Sequence, residues 1–264
     1  MEPRKSLVLL LVSASLLISC AATKASDASY FNPTIYYKPT IRADHLKCPV
    51  EDLVEMHSPE DKVLATICKA DFARCVMQGS CFVVEKNRTR SFNYYARGED
   101  TIPRFTEIDL QQCPFGYGMR NICLDPYFTV AADLKLYKLG DVIFVPRLVG
   151  VVMPDGEIHD GFLVVRDAGG GIQGVNRFDF FTGFYSHLDK ENTLAKLGFG
   201  DKENSFEFRM ASDSEAASTR ERRGYPGVKK IVLPPQQHRA NDRNGEERTS
   251  QAETENAFKK LHQP

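Results

Sequence analysis

Between residues 128 and 184 the chain alternates short apolar runs with turn-forming residues. Phe128–Ala132, Val142–Pro146, Leu148–Met153, Phe162–Val165 and Asn176–Phe181 are each too short for a helix of ordinary length and read as buried strands. Pro154-Asp155-Gly156 supplies a hairpin-type turn. Upstream, Cys81–Val84 and Thr89–Ala96 flank a polar turn at Glu85–Arg88, and Phe92 and Tyr94 alternate with Asn93 and Tyr95 as on a strand with one buried face. Arg104–Leu110 reads as a strand or as a turn into Cys113. Many short strands with little helix between them predict a closed or nearly closed barrel.

Helical periodicity is confined to the segment 48–79. Ser58-Pro59-Glu60-Asp61 has the chemistry of a helix start: a capping serine, a proline in the first turn, and acids at the positive end of the dipole. Leu64, Ile67, Cys68, Phe72 and Cys75 then follow a helical stripe. After Tyr185 apolar density falls. Leu188–Phe199 is expected to wrap irregularly over the barrel. Residues 209–264 are rich in Ser, Arg, Glu, Asn and Gln, with Val228–Leu233 the main apolar content. Such a segment buries too little surface to offset its ordering entropy, so a largely disordered tail is expected, with a short helix near Glu253–His262.

The first 19 residues read as an export signal. Arg4 and Lys5 precede an apolar run, Leu7–Ile18, that is short of the roughly 20 residues a bilayer requires. Leu17-Ile18-Ser19-Cys20 resembles a bacterial lipobox, which implies lipidation of Cys20; the rival reading is an ordinary secretory signal and a secreted protein. Ala21 after Cys20 points by the same resemblance to the outer membrane, facing the periplasm. Residues 20–47 then read as a flexible tether. Of the seven cysteines, six remain after Cys20, which suits three disulfides in an oxidising compartment. Six cysteines allow 15 connectivities; the pairing favoured here is Cys48–Cys68, Cys75–Cys81 and Cys113–Cys123. Cys68 and Cys75 lie about 10 Å apart along a continuous helix, too far to join each other.

Composition narrows the function. The foldable part, about residues 45–208, has single-domain size. A formal net charge of −1 leaves no nucleic-acid footprint. Gly169–Gly171 lacks a following Gly-Lys-Ser/Thr, so no phosphate loop is present, and His-Glu-x-x-His and Gly-x-Ser-x-Gly are also missing. Cys113 and Cys123 lack zinc-ligand spacing and no His cluster lies near them, so neither metal nor cofactor is expected.

The candidate chemistry lies in Arg166–Gly183. Asp167 follows the run Phe162–Val165, and Asp179 sits inside Phe178–Phe181. Between them, Gly169, Gly170, Gly171 and Gly174 allow the backbone to turn and to approach a ligand closely. Two strands with one carboxylate each, joined by a glycine loop, can place both acids at the lip of a cleft. Asp133, after Val130-Ala131-Ala132, is a third.

Val-Ala-Ala-Asp at 130–133, Leu-Gly-x-x-Ile-x-x-Pro at 139–146, Asp-x-Gly-Gly-x-Ile-x-Gly at 167–174 and Arg-x-Asp-x-Phe at 177–181 resemble, in that order, the three-aspartate domain. That domain is shared by membrane-bound lytic transglycosylase A and by small secreted wall-remodelling proteins, and the resemblance covers about residues 115–185. It implies a mainly β fold: a double-psi β-barrel over 48–208, here with a small disulfide-stapled helical layer in its Cys-rich N-terminal portion. It further implies cleavage of the β-1,4 bond between N-acetylmuramic acid and N-acetylglucosamine in peptidoglycan strands. Asp179 matches the residue that protonates the bond and then, as base, gives a 1,6-anhydro product. Asp167 matches the second aspartate, in a supporting role that raises the pKa of Asp179, and Asp133 the first. A structural carboxylate capping a turn is the plainer reading of Asp133.

Arg177, His159, Asp160, Gly169, Gly170 and Tyr117 are the remaining substrate-binding candidates, Tyr117 by stacking on a sugar ring. Asp160 or Asp167 would activate water if the enzyme were a glycan hydrolase. A non-catalytic, expansin-like wall-binding module is the reading from another class. The chain departs from the pattern at Ala168 and Asp141, where threonine is usual. It also shows no legible counterpart of the second domain that forms the other groove wall in membrane-bound lytic transglycosylase A, unless the Cys-rich segment replaces it.

Overall fold

The computed structural model describes residues 29–86 and 88–229. Cys20, the signal segment, the first residues of the expected tether, the 230–264 part of the expected tail and its Glu253–His262 helix lie outside them. The strands are β1 (Ser29–Tyr36), β2 (Thr40–Arg42), β3 (Leu53–His57), β4 (Val63–Cys68), β5 (Ser80–Glu85), β6 (Arg88–Arg97), β7 (Pro103–Ile108), β8 (Thr129–Ala131), β9 (Val142–Phe144), β10 (Phe162–Asp167), β11 (Arg177–Phe181) and β12 (Phe206–Met210). The helices are α1 (Lys69–Gln78), α2 (Thr193–Lys196) and α3 (Asp213–Arg222).

Six strands close a barrel in the order β1-β11-β8-β10-β9-β12. Alternation along each strand fills it: Phe31, Val130, Ile143, Leu163, Val165, Phe178, Phe180 and Phe208 point inward and form one buried cluster. The other six strands form a separate sheet, β2-β5-β6-β7-β3-β4, one face of which packs against α1 through Phe72, Cys75, Phe92 and Phe105. The strands expected at Cys81–Val84, Thr89–Ala96 and Arg104–Leu110 belong to this sheet and not to the barrel, which does not extend over all of 48–208.

Residues 29–47, expected as tether, instead supply a barrel strand and an edge of the second sheet. In β1, Phe31, Pro33 and Ile35 turn towards the barrel and Thr34 and Tyr36 away from it, a period-two pattern interrupted only by the polar flanks. Lys38 then crosses between the two halves, fully buried. Its ammonium donates to Ser91 Oγ at 2.7 Å and to the Phe115 carbonyl at 3.2 Å, and lies 4.6 Å from the Phe82 ring centroid. Phe82, Phe115, Leu124 and Phe181 close the junction as a second apolar cluster.

The expected helix start at Ser58 is a turn. Ser58 Oγ accepts from the Glu60 and Lys62 amides, and the chain returns as β4. The same residue types cap turns as readily as helices. Ala65 and Ile67 face the core at a spacing of two, and the helix begins only after Cys68. The disulfides are Cys48–Cys68, Cys75–Cys81 and Cys113–Cys123, with Cα separations of 5.9, 5.1 and 5.2 Å, as expected. Leu148–Met153 is not a strand. Pro146–Leu148 is a single tight turn, Gly150 takes a left-handed φ of 79°, and only the Val152–Ile158 bridge remains.

Residues 209–229 are ordered, against expectation. Ser212 and Glu215 form a capping box at the start of α3, and Arg209 grips Glu215 with two bonds of 2.7 and 2.8 Å. Beyond α3, Arg223 makes a bidentate pair with Asp125 at 2.8 and 2.9 Å, bonds Glu157, and lies 3.5 Å over the Phe128 ring. Buried Arg166 donates to the carbonyls of Cys123, Arg223 and Gly227. Polar contacts, not apolar burial, hold this segment.

Candidate active site

Register alone assembles the site. Thr34 pairs with Asp179, Asp179 with Ala131, and Ala131 with Asp167. Directly paired residues share a face, so Thr34, Asp179, Ala131 and Asp167 form a row across β1, β11, β8 and β10 on the outside of the barrel. Two strand spacings set the two aspartate Cα atoms roughly 10 Å apart. Ala131 lies between them and is small enough to leave both carboxyls room. A bulge at Arg166 brings Asp167 into this register while Arg166 itself turns to the 223–227 segment.

The two acids are held differently. Asp167 accepts a bond from Tyr36 Oη at 3.1 Å and from the Ala168 amide at 2.9 Å. Asp179 accepts one bond, from Thr34 Oγ1 at 2.7 Å. Thr34 Oγ1 in turn accepts from Arg177 at 2.8 Å, and Arg177 also donates to the Asn32 carbonyl. The second carboxyl oxygen of Asp179 has no hydrogen-bond partner among the described residues. Burial pushes Asp179 up to about 6, partly offset by Thr34 and Arg177. Burial also pushes Asp167 up to about 6; its amide and Tyr36 bonds oppose the rise, and the Asp179 charge adds to it. The phenylalanines flanking Asp179 do not make its burial, since Phe178 and Phe180 point into the barrel.

Asp133 is a structural carboxylate. It accepts the Lys135 amide and, at 3.0 Å, the Gly174 amide, and these bonds hold it below the usual carboxylate range. It thus pins the far end of the glycine loop. Gly174, with φ of 92°, is the loop position that demands glycine, whereas Gly169 and Gly170 have φ values open to other residues and lie at the surface. Tyr117 is half-buried, its hydroxyl bonded to Gln112 and its amide to Asn93. The next residue, Gly118, sits so close to Asp167 that an added Cβ would lie 3.1 Å from that of the aspartate. Tyr117 is therefore one residue from the contact with Asp167.

Two candidates lie elsewhere. His159 is not a groove or surface residue: it is fully buried and stacked on Phe128 at 4.4 Å. Its Nδ1 accepts the Gly161 amide, so Nε2 carries the proton donated to the Tyr127 carbonyl. Burial lowers its pKa to about 4, and it is neutral. Asp160 precedes β10, whereas Asp167 ends it, roughly 20 Å away along the strand. Asp160 bonds the Phe162 amide and pairs with Arg222 at 2.5 Å, so it is not the water-activating partner of Asp179. A cavity of about 270 Å³ lined by Phe115, Leu124, Pro154, Tyr185 and Arg223 reaches neither aspartate. The roles of Thr34, Tyr36 and Ala131 were not legible in the sequence. The alternation in Phe31–Tyr36 was the signal that marks the first two.

Residues 128–193 match the family model of the 3D domain. No curated protein matches the chain by sequence. Among solved structures it is similar to MltA from E. coli with bound chitohexaose, at 13% identity over 69% of this chain and 72% of that one, with a TM-score of 0.44. It is likewise similar to a membrane-bound lytic murein transglycosylase from Agrobacterium tumefaciens, at 15% identity over 72% and 75%, with a TM-score of 0.45. MltA from Neisseria gonorrhoeae aligns at 12% identity over 69% and 72%, with a TM-score of 0.42.

Proposed function

We propose that the protein cleaves peptidoglycan as a lytic transglycosylase, with Asp179 as acid and then base. The observation that carries this is the unequal pair. Burial raises both carboxyls to about 6, so the difference lies in how they are held: Asp179 has one anchored oxygen and one free oxygen, which suits a proton donor. Asp167, two strands away, accepts from Tyr36 and from the Ala168 amide, two bonds that favour its charged form.

In the proposed reaction Asp179 protonates the glycosidic oxygen between N-acetylmuramic acid and N-acetylglucosamine. The bond from that oxygen to C1 breaks, and ionised Asp167 faces the positive charge that develops. The Asp179 carboxylate then takes the proton from the muramyl C6 hydroxyl as O6 attacks C1, giving a 1,6-anhydro sugar and consuming no water. Glycan hydrolysis with the same acid, and an expansin-like binding module without catalysis, are the readings this one competes with. The barrel's two parallel pairs, β1 with β11 and β8 with β10, support the double-psi description.

The test is mass spectrometry of soluble products from sacculi treated with the protein and with Asp179→Asn. Anhydromuropeptides from the wild type alone are expected. Reducing-end products would replace the transglycosylase by a hydrolase, and no product from either would leave a binding module. Export and lipid attachment at Cys20 belong to the same proposal, placing the enzyme at the outer membrane. Cys20→Ser should move it from the membrane to the soluble fraction, and no redistribution would count against the anchor.

A further inference from the structure

Arginines in this protein mostly meet carboxylates: Arg42, Arg90, Arg104, Arg209, Arg222 and Arg223 all do so within 3.2 Å. Among the described residues Arg97, Arg147 and Arg220 do not, and neither do the two arginines beside the aspartate row. Arg177, two residues before Asp179 in the same strand, bonds only neutral oxygens, those of Asn32 and Thr34. Arg120 is exposed and has no hydrogen bond or ion pair among the described residues.

The placement of Arg120 is unusual in a second way. Arg120 and Asn121 both take the left-handed region, with φ of 54° and 59°. Neither is glycine, and such conformations cost on the order of 1 kcal/mol each and persist only where the surroundings impose them. Here the Cys113–Cys123 disulfide closes the loop, and the Tyr117–Cys123 bridge narrows it. Asn93 holds its base through both the amide and the carbonyl of Tyr117. At the base of the tip Gly118 lies against Asp167, where an added Cβ would sit 3.1 Å from that of the aspartate. The Arg120 Cα is two residues further on, within about 7 Å of the Gly118 Cα. A group bound against Asp167 lies within the length of the Arg120 side chain.

We propose that Arg120 and Arg177 bind carboxylates of the substrate, one on each side of the acid pair. This rests on the peptidoglycan reading and narrows it. The lactyl carboxyl of muramic acid is either free and charged or joined as an amide to a peptide that carries carboxylates of its own, and a β-1,4 chain of N-acetylglucosamine alone carries none. An arginine with no carboxylate in hydrogen-bond reach gives up no carboxylate hydrogen bond when it takes such a group. The site thus selects an anionic, muramyl-containing strand over a neutral one.

The experiment uses the full-length protein in an Asp179→Asn background, so that binding is read without cleavage. Association is measured with sacculi, with sacculi whose carboxyls have been converted to amides, and with a neutral N-acetylglucosamine hexamer. Arg120→Gln is expected to weaken binding to native sacculi by about tenfold or more. It should leave binding to amidated sacculi and to the hexamer unchanged, and Arg120→Lys should restore most of the loss. Equal losses on all three ligands, or no loss on native sacculi, would overturn the proposal. Because binding is the readout, a protein that releases no products still answers the question: absent cleavage defeats the enzyme reading, and absent charge selectivity defeats this one.

Discussion

Replacing Asp179 by asparagine should make the protein more stable at neutral pH while removing its activity. The unfolded carboxyl titrates near 3.8 and the folded one at about 6. Between these values the native state holds the proton more tightly, so stability falls as pH rises through the window and stays reduced above it. Two units correspond to about 3 kcal/mol, and partial solvent access to the carboxyl reduces this to on the order of 1–3 kcal/mol. Asparagine keeps an oxygen to accept from Thr34 and carries no charge at any pH. For about 200 ordered residues, each kcal/mol moves Tm by about 2–4 °C. Thermal unfolding of both proteins from pH 4 to pH 8 is the assay. The variant should melt several degrees higher at pH 7.5, with the gain vanishing near pH 4. A variant no more stable at pH 7.5, or a gain of equal size at pH 4, would show that Asp179 is not a carboxyl strained by its surroundings.

Two further changes probe the framework around it. Thr34→Val removes the one hydrogen bond to Asp179 and the oxygen that Arg177 holds, so the Asp179 pKa should rise further; the alkaline limb of the pH–rate profile should move upward, with kcat lower by about tenfold or more, and an unmoved limb would dismiss the Thr34 link. Arg223→Ala leaves Asp125 buried without its bidentate partner and should cost about 3–5 kcal/mol in denaturant unfolding, whereas a loss below about 1 kcal/mol would mean that the segment after α3 is not held as described.

Much of the barrel was legible because its strands bury apolar side chains at simple spacings, as in Phe162–Val165 and Phe178–Phe181. The aspartates were legible through motif resemblance. What escaped was held by other forces. Residues 209–229 looked unable to fold because their order comes from arginines and backbone carbonyls, which hydrophobic patterning does not register. Ser58–Asp61 was misread because cap and turn chemistry coincide. Thr34 and Tyr36 were missed because the pairing of β1 with β11 joins residues about 145 positions apart, and local sequence carries no record of its partner strand. His159 was misplaced because a buried neutral imidazole and a solvent-facing one look alike in sequence.

The row Thr34–Asp179–Ala131–Asp167 draws on three distant parts of the chain, and its first member lies in the first described strand. A chain emerging from its N-terminus therefore displays the donor strand early and waits for most of its length before β10 and β11 arrive to meet it. Until then the two carboxyls ionise freely in water, near 4, and neither can serve as an acid at neutral pH. The topology thus acts as a timer. On the proposed function, the substrate is safe from the nascent protein, and reactivity switches on only with the closure of the barrel.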